Sequence, residues 1–244
     1  HEYFMVYQPV YEVAKMEITS YEALIRWESP VIGAISPAEF IPLLEENDLI
    51  IPVGRWILRQ VATQIKEWEK EGQTDFRIAT NISVKQMMHP DFLNNVKSII
   101  EETNVSPKRL IFEITESVAV QNSGLATAIL AELNELGVQT SLDDFGTGYS
   151  SLSILKLLPI QQLKVDRSFI IEMEQNEEKS LVILQGILDI AKNLGLVTVM
   201  EGVETPEQLE LLKSMGAQKV QGYLISRPVV AELAIELRNQ DWKY

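Results

Sequence analysis

Cysteine is absent from this 244-residue chain, and histidine occurs only twice, once as the first residue. Without Cys there is no disulfide framework, no zinc ribbon, no iron–sulfur cluster and no thiol nucleophile. Two histidines are too few for a His-rich zinc site. Basic residues are also scarce. The chain has 21 Lys+Arg against 35 Asp+Glu, a formal net charge of −14, which excludes polymeric nucleic acid held by a basic surface. Long apolar runs are missing as well. The longest, Leu181 to Met200, is interrupted by Gln185, Asp189, Lys192 and Asn193, whereas a membrane-spanning helix needs about 20 predominantly apolar residues. The N-terminus has neither an initiator Met nor a basic region ahead of an apolar stretch. The expectation is therefore a cytoplasmic domain, without membrane contact of its own, cut from a longer protein that is itself free to be membrane-anchored. No Gly-x-Gly-x-x-Gly follows an early strand, so a dinucleotide fold is unsupported. What remains is a folded domain, 46% hydrophobic, whose chemistry must run on carboxylates.

The chain has one rhythm. Two extended segments, Phe4–Pro9 and roughly Lys15–Trp27, are close enough to pair as a hairpin, one strand running against the sheet. Ser36-Pro37-Ala38-Glu39 reads as a helix start. A second helix near Val53–Glu71 repeats Ile57, Val61, Ile65 and Trp68 at helical spacing. From there strands and helices alternate. The strands are Phe76–Ile82, Leu110–Thr115, Gln139–Asp143, Gln162–Asp166, Val197–Glu201 and Lys219–Tyr223. Between them lie helices at Pro90–Thr103, Ser123–Leu136, Ser151–Leu157, Glu178–Leu194 and Pro206–Ser214, with a last one at Val230–Asn239. Gly137, Gly195 and Gly216 read as helix stops. The charged run Glu172–Lys179 reads as a solvated connection. This pattern predicts a parallel sheet, either an open doubly wound one or a closed (β/α)8 barrel.

Within the strands, apolar residues alternate with ionisable or amide ones. An antiparallel sheet with one wet face would explain this, but the intervening helices favour parallel pairing with both faces covered. The polar rows then point into the barrel, where such enzymes place their active sites at the strand C-termini. In order the polar positions are Glu22, Asn81, Glu113, Glu116, Asp143, Asp144, Lys164, Asp166, Glu201, Glu204 and Gln221. Converging carboxylates repel one another and are costly to desolvate unless a cation joins them. An all-oxygen set without His or Cys suits Mg²⁺ or Mn²⁺. Asp143-Asp144 at a strand end can bridge two metals, and Lys164 supplies a point charge for a phosphate or an activated water. Each element alone is common, and the specificity lies in their combination.

These residues resemble the motifs of the EAL domain family, bacterial phosphodiesterases acting on cyclic di-GMP. The quoted stretches are Tyr7-Gln8-Pro9, Tyr21-Glu22-Ala23-Leu24-Ile25-Arg26-Trp27, Asn81-Ile82-Ser83 and Glu113-Ile114-Thr115-Glu116. They continue with Asp143 to Tyr149, Lys164-Val165-Asp166, Glu201-Gly202-Val203-Glu204 and Gln221-Gly222-Tyr223, covering essentially the whole chain. The resemblance implies one domain over residues 1–244, a (β/α)8 TIM-like barrel with one antiparallel strand near the N-terminus. It implies two Mg²⁺ or Mn²⁺ per active site, with Ca²⁺ binding but inhibitory. Glu22, Asn81, Glu113 and Asp143 would hold one metal, and Asp143 and Asp144 the second, with Asp166 close by. Glu201 would be the general base acting on the attacking water, which Lys164 would help position. Gln8, Arg26, Glu204 and Gln221 would contact substrate, and Glu116 would hold the loop after Asp144, a loop tied to dimerisation. The implied reaction opens one phosphodiester of cyclic di-GMP to linear 5′-pGpG in a homodimer, often joined to sensory or GGDEF (diguanylate cyclase-like) domains. Ile25 and Met200 depart from the commonest family residues, at no ligand position.

Two rival readings remain. One is a catalytically silent cyclic di-GMP receptor or protein-interaction module, which would ordinarily lack metal or base residues; none is lost here. The other is a barrel lyase or isomerase using Lys164 to abstract a proton. Eight of the 35 acids belong to the polar set, and without them the chain stands at −6. A small dinucleotide drawn in by divalent cations is therefore compatible with the acidic balance.

Overall fold

The computed structural model describes residues 2–118, 123–146, 152–174, 178–240 and 242. The chain opens on the expected hairpin. Strands β1 (Tyr3–Glu12) and β2 (Glu17–Ser29) pair antiparallel from Tyr3 opposite Trp27 to Glu12 opposite Glu17, with one register irregularity after Val10. A third short strand, β3 (Gly33–Ile35), folds back antiparallel on the far end of β2. The sequence reading missed it, because three residues are too few to show alternation.

Helix α1 (Pro37–Glu46) starts at Ser36 with Pro37 at its first turn, as read. The Ser36 hydroxyl makes no capping bond, and the backbone N–H of Glu39 reaches Ser36 O at 2.9 Å instead. Helix α2 (Ile50–Lys70) begins three residues before the expected Val53 and takes in Pro52, which a first turn accepts because its N–H would be unpaired anyway. The stripe Ile57, Val61, Ile65 and Trp68 is buried. Trp68 anchors an aromatic cluster, its ring centroid 5.2 Å from Tyr7, 4.9 Å from Tyr21 and 5.4 Å from Phe76.

Alternation follows. Strand β4 (Arg77–Asn81) is succeeded by α3 (Val84–Met87), a single turn that was not expected, and by α4 (Phe92–Thr103), which realises the helix expected from Pro90 two residues later. Then come β5 (Leu110–Thr115), α5 (Ser123–Leu136), β6 (Gln139–Phe145), α6 (Leu152–Leu157) and β7 (Gln162–Val165). Helix α7 (Ser168–Glu174) was not anticipated; it takes up the start of the charged run read as a connection, and residues 175–177 lie outside the described part. Helix α8 (Glu178–Asn193), β8 (Val197–Met200), α9 (Pro206–Ser214), β9 (Lys219–Val220) and α10 (Ala231–Arg238) complete the chain. Gly137, Gly195 and Gly216 end their helices at φ 93°, 73° and 89°, the left-handed conformation that glycine adopts without steric cost.

Strands β2 and β4 to β9 run parallel to their neighbours in sequence order. β1 closes the ring, antiparallel to both β2 and β9. The result is a closed eight-stranded (β/α)8-like barrel with one antiparallel strand, as the sequence predicted. Period-2 alternation puts Ile78, Leu110, Phe112, Leu163 and Val220 toward the helices, all buried. The opposite rows line the barrel interior.

Candidate metal centre

The parallel strands share one direction, so their C-terminal ends form one mouth. Glu22 sits within β2, Asn81 ends β4, Glu113 lies in β5 and Lys164 in β7, while Glu201 and Gln221 follow β8 and β9 directly. Register fixes neighbours: Asn81 stands beside Glu113, and Gln8 opposite Glu22.

Lys164 is the hub. Its ammonium Nζ lies 3.3 Å from Glu22 Oε2, 3.2 Å from Glu113 Oε2, 3.0 Å from Asp143 Oδ1 and 2.8 Å from Glu201 Oε1. The residue is 1% exposed, so these pairs act in a low dielectric. Burial disfavours its charge, yet the four carboxylates prevail and hold the pKa well above the usual lysine value. Glu22 and Glu113 respond differently to the same lysine. Burial works to raise Glu22, but Lys164 and hydrogen bonds from Gln221 Nε2 (2.7 Å) and Asn81 Nδ2 (2.9 Å) bring its pKa below the ordinary glutamate value. Burial raises Glu113 well above that value against the pull of Lys164, with repulsion from Glu22, Asp143 and Glu201 adding to the rise. Burial, with repulsion from Asp143 and Glu22, lifts Glu201 to about 7 against the pull of Lys164.

Asp143 and Asp144 pose a geometric problem. Successive side chains of a regular strand point to opposite faces, so a plain β6 would send Asp144 away from the mouth. Asp144 instead adopts φ 54°, and the β6–β7 register breaks between Leu142 and Phe145. A bulge of this kind re-aims a side chain, and a left-handed non-glycine residue stores strain of about 1–3 kcal/mol. Burial and the neighbouring Asp143 charge raise the Asp144 pKa. Carboxylate oxygens of Glu22, Glu113 and Asp143 lie within 4.8 Å of one another, and so do those of Asp143, Asp144 and Glu201. Asp143 belongs to both groups. The donors are all hard oxygens, and Gln221 Oε1 is buried without a hydrogen-bond partner, so the residues fit hard divalent cations.

Two clefts flank this cage. The first, about 470 Å³, is lined by Gln8, Glu22, Asp166, Glu201, Glu204 and Gln221 together with Arg167 and Tyr223. The second, about 820 Å³, runs from Asn81, Glu113 and Asp144 past Arg26 to an apolar wall from α1 and α2 that includes Ile41, Ile50 and Val53. Leu24 borders both. Two loops shape the first cleft. The Val203 N–H donates to Gln221 O at 3.1 Å and the Leu224 N–H to Val203 O at 3.0 Å. At Gly222 a Cβ would fall 2.0 Å from Val203 O, so only glycine permits this approach. A capping box of Thr205 and Gln208 starts α9 and fixes Glu204, whose N–H donates to Gln208 Oε1 at 2.6 Å.

Glu22, Glu113, Asp143, Asp144, Lys164 and Glu201 therefore come together, with Asn81 and Gln221 bonded to Glu22. Asp166 stands apart from both carboxylate groups; its Oδ1 accepts the Ser168 N–H at 2.9 Å while the residue lines the first cleft. Gln8 accepts from Gln221 Nε2 at 3.2 Å and donates to Ser226 O at 3.1 Å. Arg26 donates to its neighbour Ile25 O at 2.9 Å and faces the second cleft. Glu116 follows β5, half-buried; the loop it was expected to hold, residues 147–150, lies outside the described residues. Sequence reasoning passed over Tyr223, whose ring carries the Arg227 guanidinium 4.0 Å from its centroid at the rim of the first cleft. The alternation that selected Gln221 would have found Tyr223, two residues on.

A closed (β/α)8-like barrel with oxygen-donor carboxylates gathered at its C-terminal mouth defines a TIM-like barrel with a candidate metal centre at the end where such barrels keep their active sites. The EAL domain family matches residues 1–228, and the chain belongs to that family. It is 39% identical over 226 residues to the bifunctional diguanylate cyclase/cyclic di-GMP phosphodiesterase MucR of Pseudomonas aeruginosa, covering 93% of this chain and 33% of that protein. It is 38% identical over 223 residues to the cyclic di-GMP phosphodiesterase NbdA of the same organism, covering 91% of this chain and 28% of that protein. The chain thus spans about a third or less of these relatives. Among solved structures, the PaMucR phosphodiesterase in complex with c-di-GMP superposes with a TM-score of 0.90 at 38% identity, covering 95% of this chain and 94% of that one. The EAL enzyme Bd1971, bound to cAMP and cyclic di-GMP, gives 0.90 at 34% identity, covering 98% of this chain and 65% of that one.

Proposed function

We propose that this domain hydrolyses one phosphodiester of cyclic di-GMP to linear 5′-pGpG, with two Mg²⁺ or Mn²⁺ held by the carboxylate cage. The observation that carries the reading is Asp143, shared between two carboxylate groups set between two clefts. Both clefts have volumes typical of small-ligand sites, and a dinucleotide has two nucleoside halves flanking its phosphates. Its relatives MucR and NbdA carry phosphodiesterase names, which supports the substrate class.

When bound, the cations neutralise the phosphate and lower the pKa of water. Glu22, Asn81, Glu113 and Asp143 would hold one, and Asp143 and Asp144 the other, with Asp166 at the border of the site. The protein's own groups do the rest. Glu201 takes a proton from the attacking water. The water oxygen forms a bond to phosphorus as the P–O3′ bond breaks, the departing O3′ takes a proton from solvent to become a hydroxyl, and Glu201 returns its proton to solvent. Lys164 holds Glu201 and Asp143 in place, fixing where that proton goes. Gln8, Arg26, Glu204 and Gln221 face the clefts and orient the substrate. Ca²⁺, which prefers more ligands at longer distances, would occupy the cage but support poor turnover. The same reading has the domain working as a cytoplasmic homodimer beside sensory or GGDEF neighbours, with Glu116 steadying the loop after Asp144. Among the described residues no helix is long and apolar enough to cross a membrane.

The test is incubation with cyclic di-GMP and either Mg²⁺ or Mn²⁺, followed by chromatography. Linear 5′-pGpG is the expected product. Binding without product under both metals would make the domain a receptor instead.

A further inference from the structure

The carboxylate cage contains a cation of its own. Lys164 is 1% exposed, and its Nζ lies 2.8 to 3.3 Å from oxygens of Glu22, Glu113, Asp143 and Glu201. Those four include every member of the first carboxylate group, Glu22, Glu113 and Asp143, and two of the second, Asp143 and Glu201. The ammonium and a pair of divalent ions therefore call on the same residues.

Glu22 shows why they compete. Its Oε1 accepts from Asn81 Nδ2 at 2.9 Å, and its Oε2 accepts from Gln221 Nε2 at 2.7 Å and from Lys164 Nζ at 3.3 Å. Both oxygens are in use, so an ion entering here has to displace a donor. Asn and Gln carry an acceptor oxygen beside the donor nitrogen, and turning such an amide converts a competitor into a ligand. Gln221 Oε1 is already buried without a hydrogen-bond partner. An ammonium is a donor only. It offers an incoming cation nothing and repels it, strongly so where water is excluded. Charge points the same way. The five carboxylates of the two groups, set against this one ammonium, leave a formal charge of −4, which two divalent ions neutralise.

We propose that Lys164 is a resident cation that sets the metal affinity of the cage: it leaves a charge that two divalent ions complete, and it yields Glu22, Glu113 and Asp143 to them as they bind. Lys164 is thus a positioning residue that weakens metal binding in return for holding the carboxylates together. The inference rests on the two-metal reading above and goes beyond it by assigning affinity to a residue that is no ligand.

Mn²⁺ titration of the 244-residue chain, followed by the electron paramagnetic resonance signal of the free ion, tests it without reference to turnover. Lys164→Met, which keeps the buried stem and removes the charge, should bind Mn²⁺ about tenfold more tightly than the parent chain. A lysine that only shaped the cage would give weaker binding when lost. Lys164→Arg, which keeps the charge, should bind like the parent. Equal or weaker binding in Lys164→Met, or binding by Lys164→Arg as tight as that of Lys164→Met, overturns the proposal. If Lys164→Met is unfolded in chelator, circular dichroism should show Mn²⁺ refolding it, and a chain that stays unfolded in saturating Mn²⁺ overturns the proposal as well. A parent chain that takes up no Mn²⁺ sinks the two-metal reading itself, whereas a parent that binds Mn²⁺ without the gain in Lys164→Met sinks this inference alone.

Discussion

Lys164 and Lys219 are both buried lysines on the inner wall of one barrel, and they keep opposite company. At the C-terminal mouth four carboxylates lie within 3.3 Å of the Lys164 ammonium. At the N-terminal mouth Lys219 faces one carboxylate already held by Lys15, with Arg77 nearby. Burial opposes the charge in both, and the neighbours decide the outcome: one lysine is pushed up and the other down to about 8. The same side chain is therefore held charged at one end of the barrel and disfavoured as a cation at the other.

The most direct way to break the comparison is at the cage itself. Glu22→Ala removes a carboxylate, a Lys164 partner and the acceptor for Gln221 and Asn81, so hydrolysis should fall by on the order of a thousandfold. Retained activity in a product assay would show that Glu22 holds no metal. Next comes one substitution made at both ends. Lys164→Met leaves three buried carboxylates and the half-buried Glu201 uncompensated and should destabilise by about 3–5 kcal/mol in chelator, with much of the loss recovered in Mg²⁺. Lys219→Met should do the reverse. A lysine whose folded pKa lies below its unfolded value costs stability at every pH below the folded pKa. Its removal at pH 7 should stabilise by on the order of 2 kcal/mol. Denaturant unfolding of both variants checks the pair, and shifts of the same sign would end the contrast.

The smallest expected effect is on pH. Glu201 stands at about 7, and only its deprotonated form can accept a proton. Bound cations pull that value down, so the rate should fall about tenfold per unit below an acid limb at or under about pH 7. An acid limb well above neutrality in the rate profile would take the role of base away from Glu201.

Period-2 alternation made much of the site legible. It assigned Glu22, Glu113, Asp143, Lys164 and Gln221 to one inner face, and the ordered motifs supplied the family. Asp144 was legible only as a neighbour of Asp143, because its left-handed backbone and the bulge depend on how β6 meets β7. The four-way contact of Lys164 could not be read either: it joins Glu22 to a residue 142 positions away, and no local pattern reports such a meeting. The walls of the larger cleft come from α1 and α2, whose apolar faces read in sequence as ordinary core. Strand β3 and helix α7 were too short to leave a periodic trace.

Within the barrel β1 is the strand that runs against its neighbours, and its seam with β9 is narrow. Two residue pairs, Tyr11 with Val220 and Glu12 with Lys219, and one bridge between Tyr7 and Val229 join the first strand to the far end of the chain. A chain deprived of its first dozen residues would expose two raw sheet edges, on β2 and β9, and such edges invite pairing with other molecules. The first strand, held by this narrow seam, is thus a lever on closure of the whole ring.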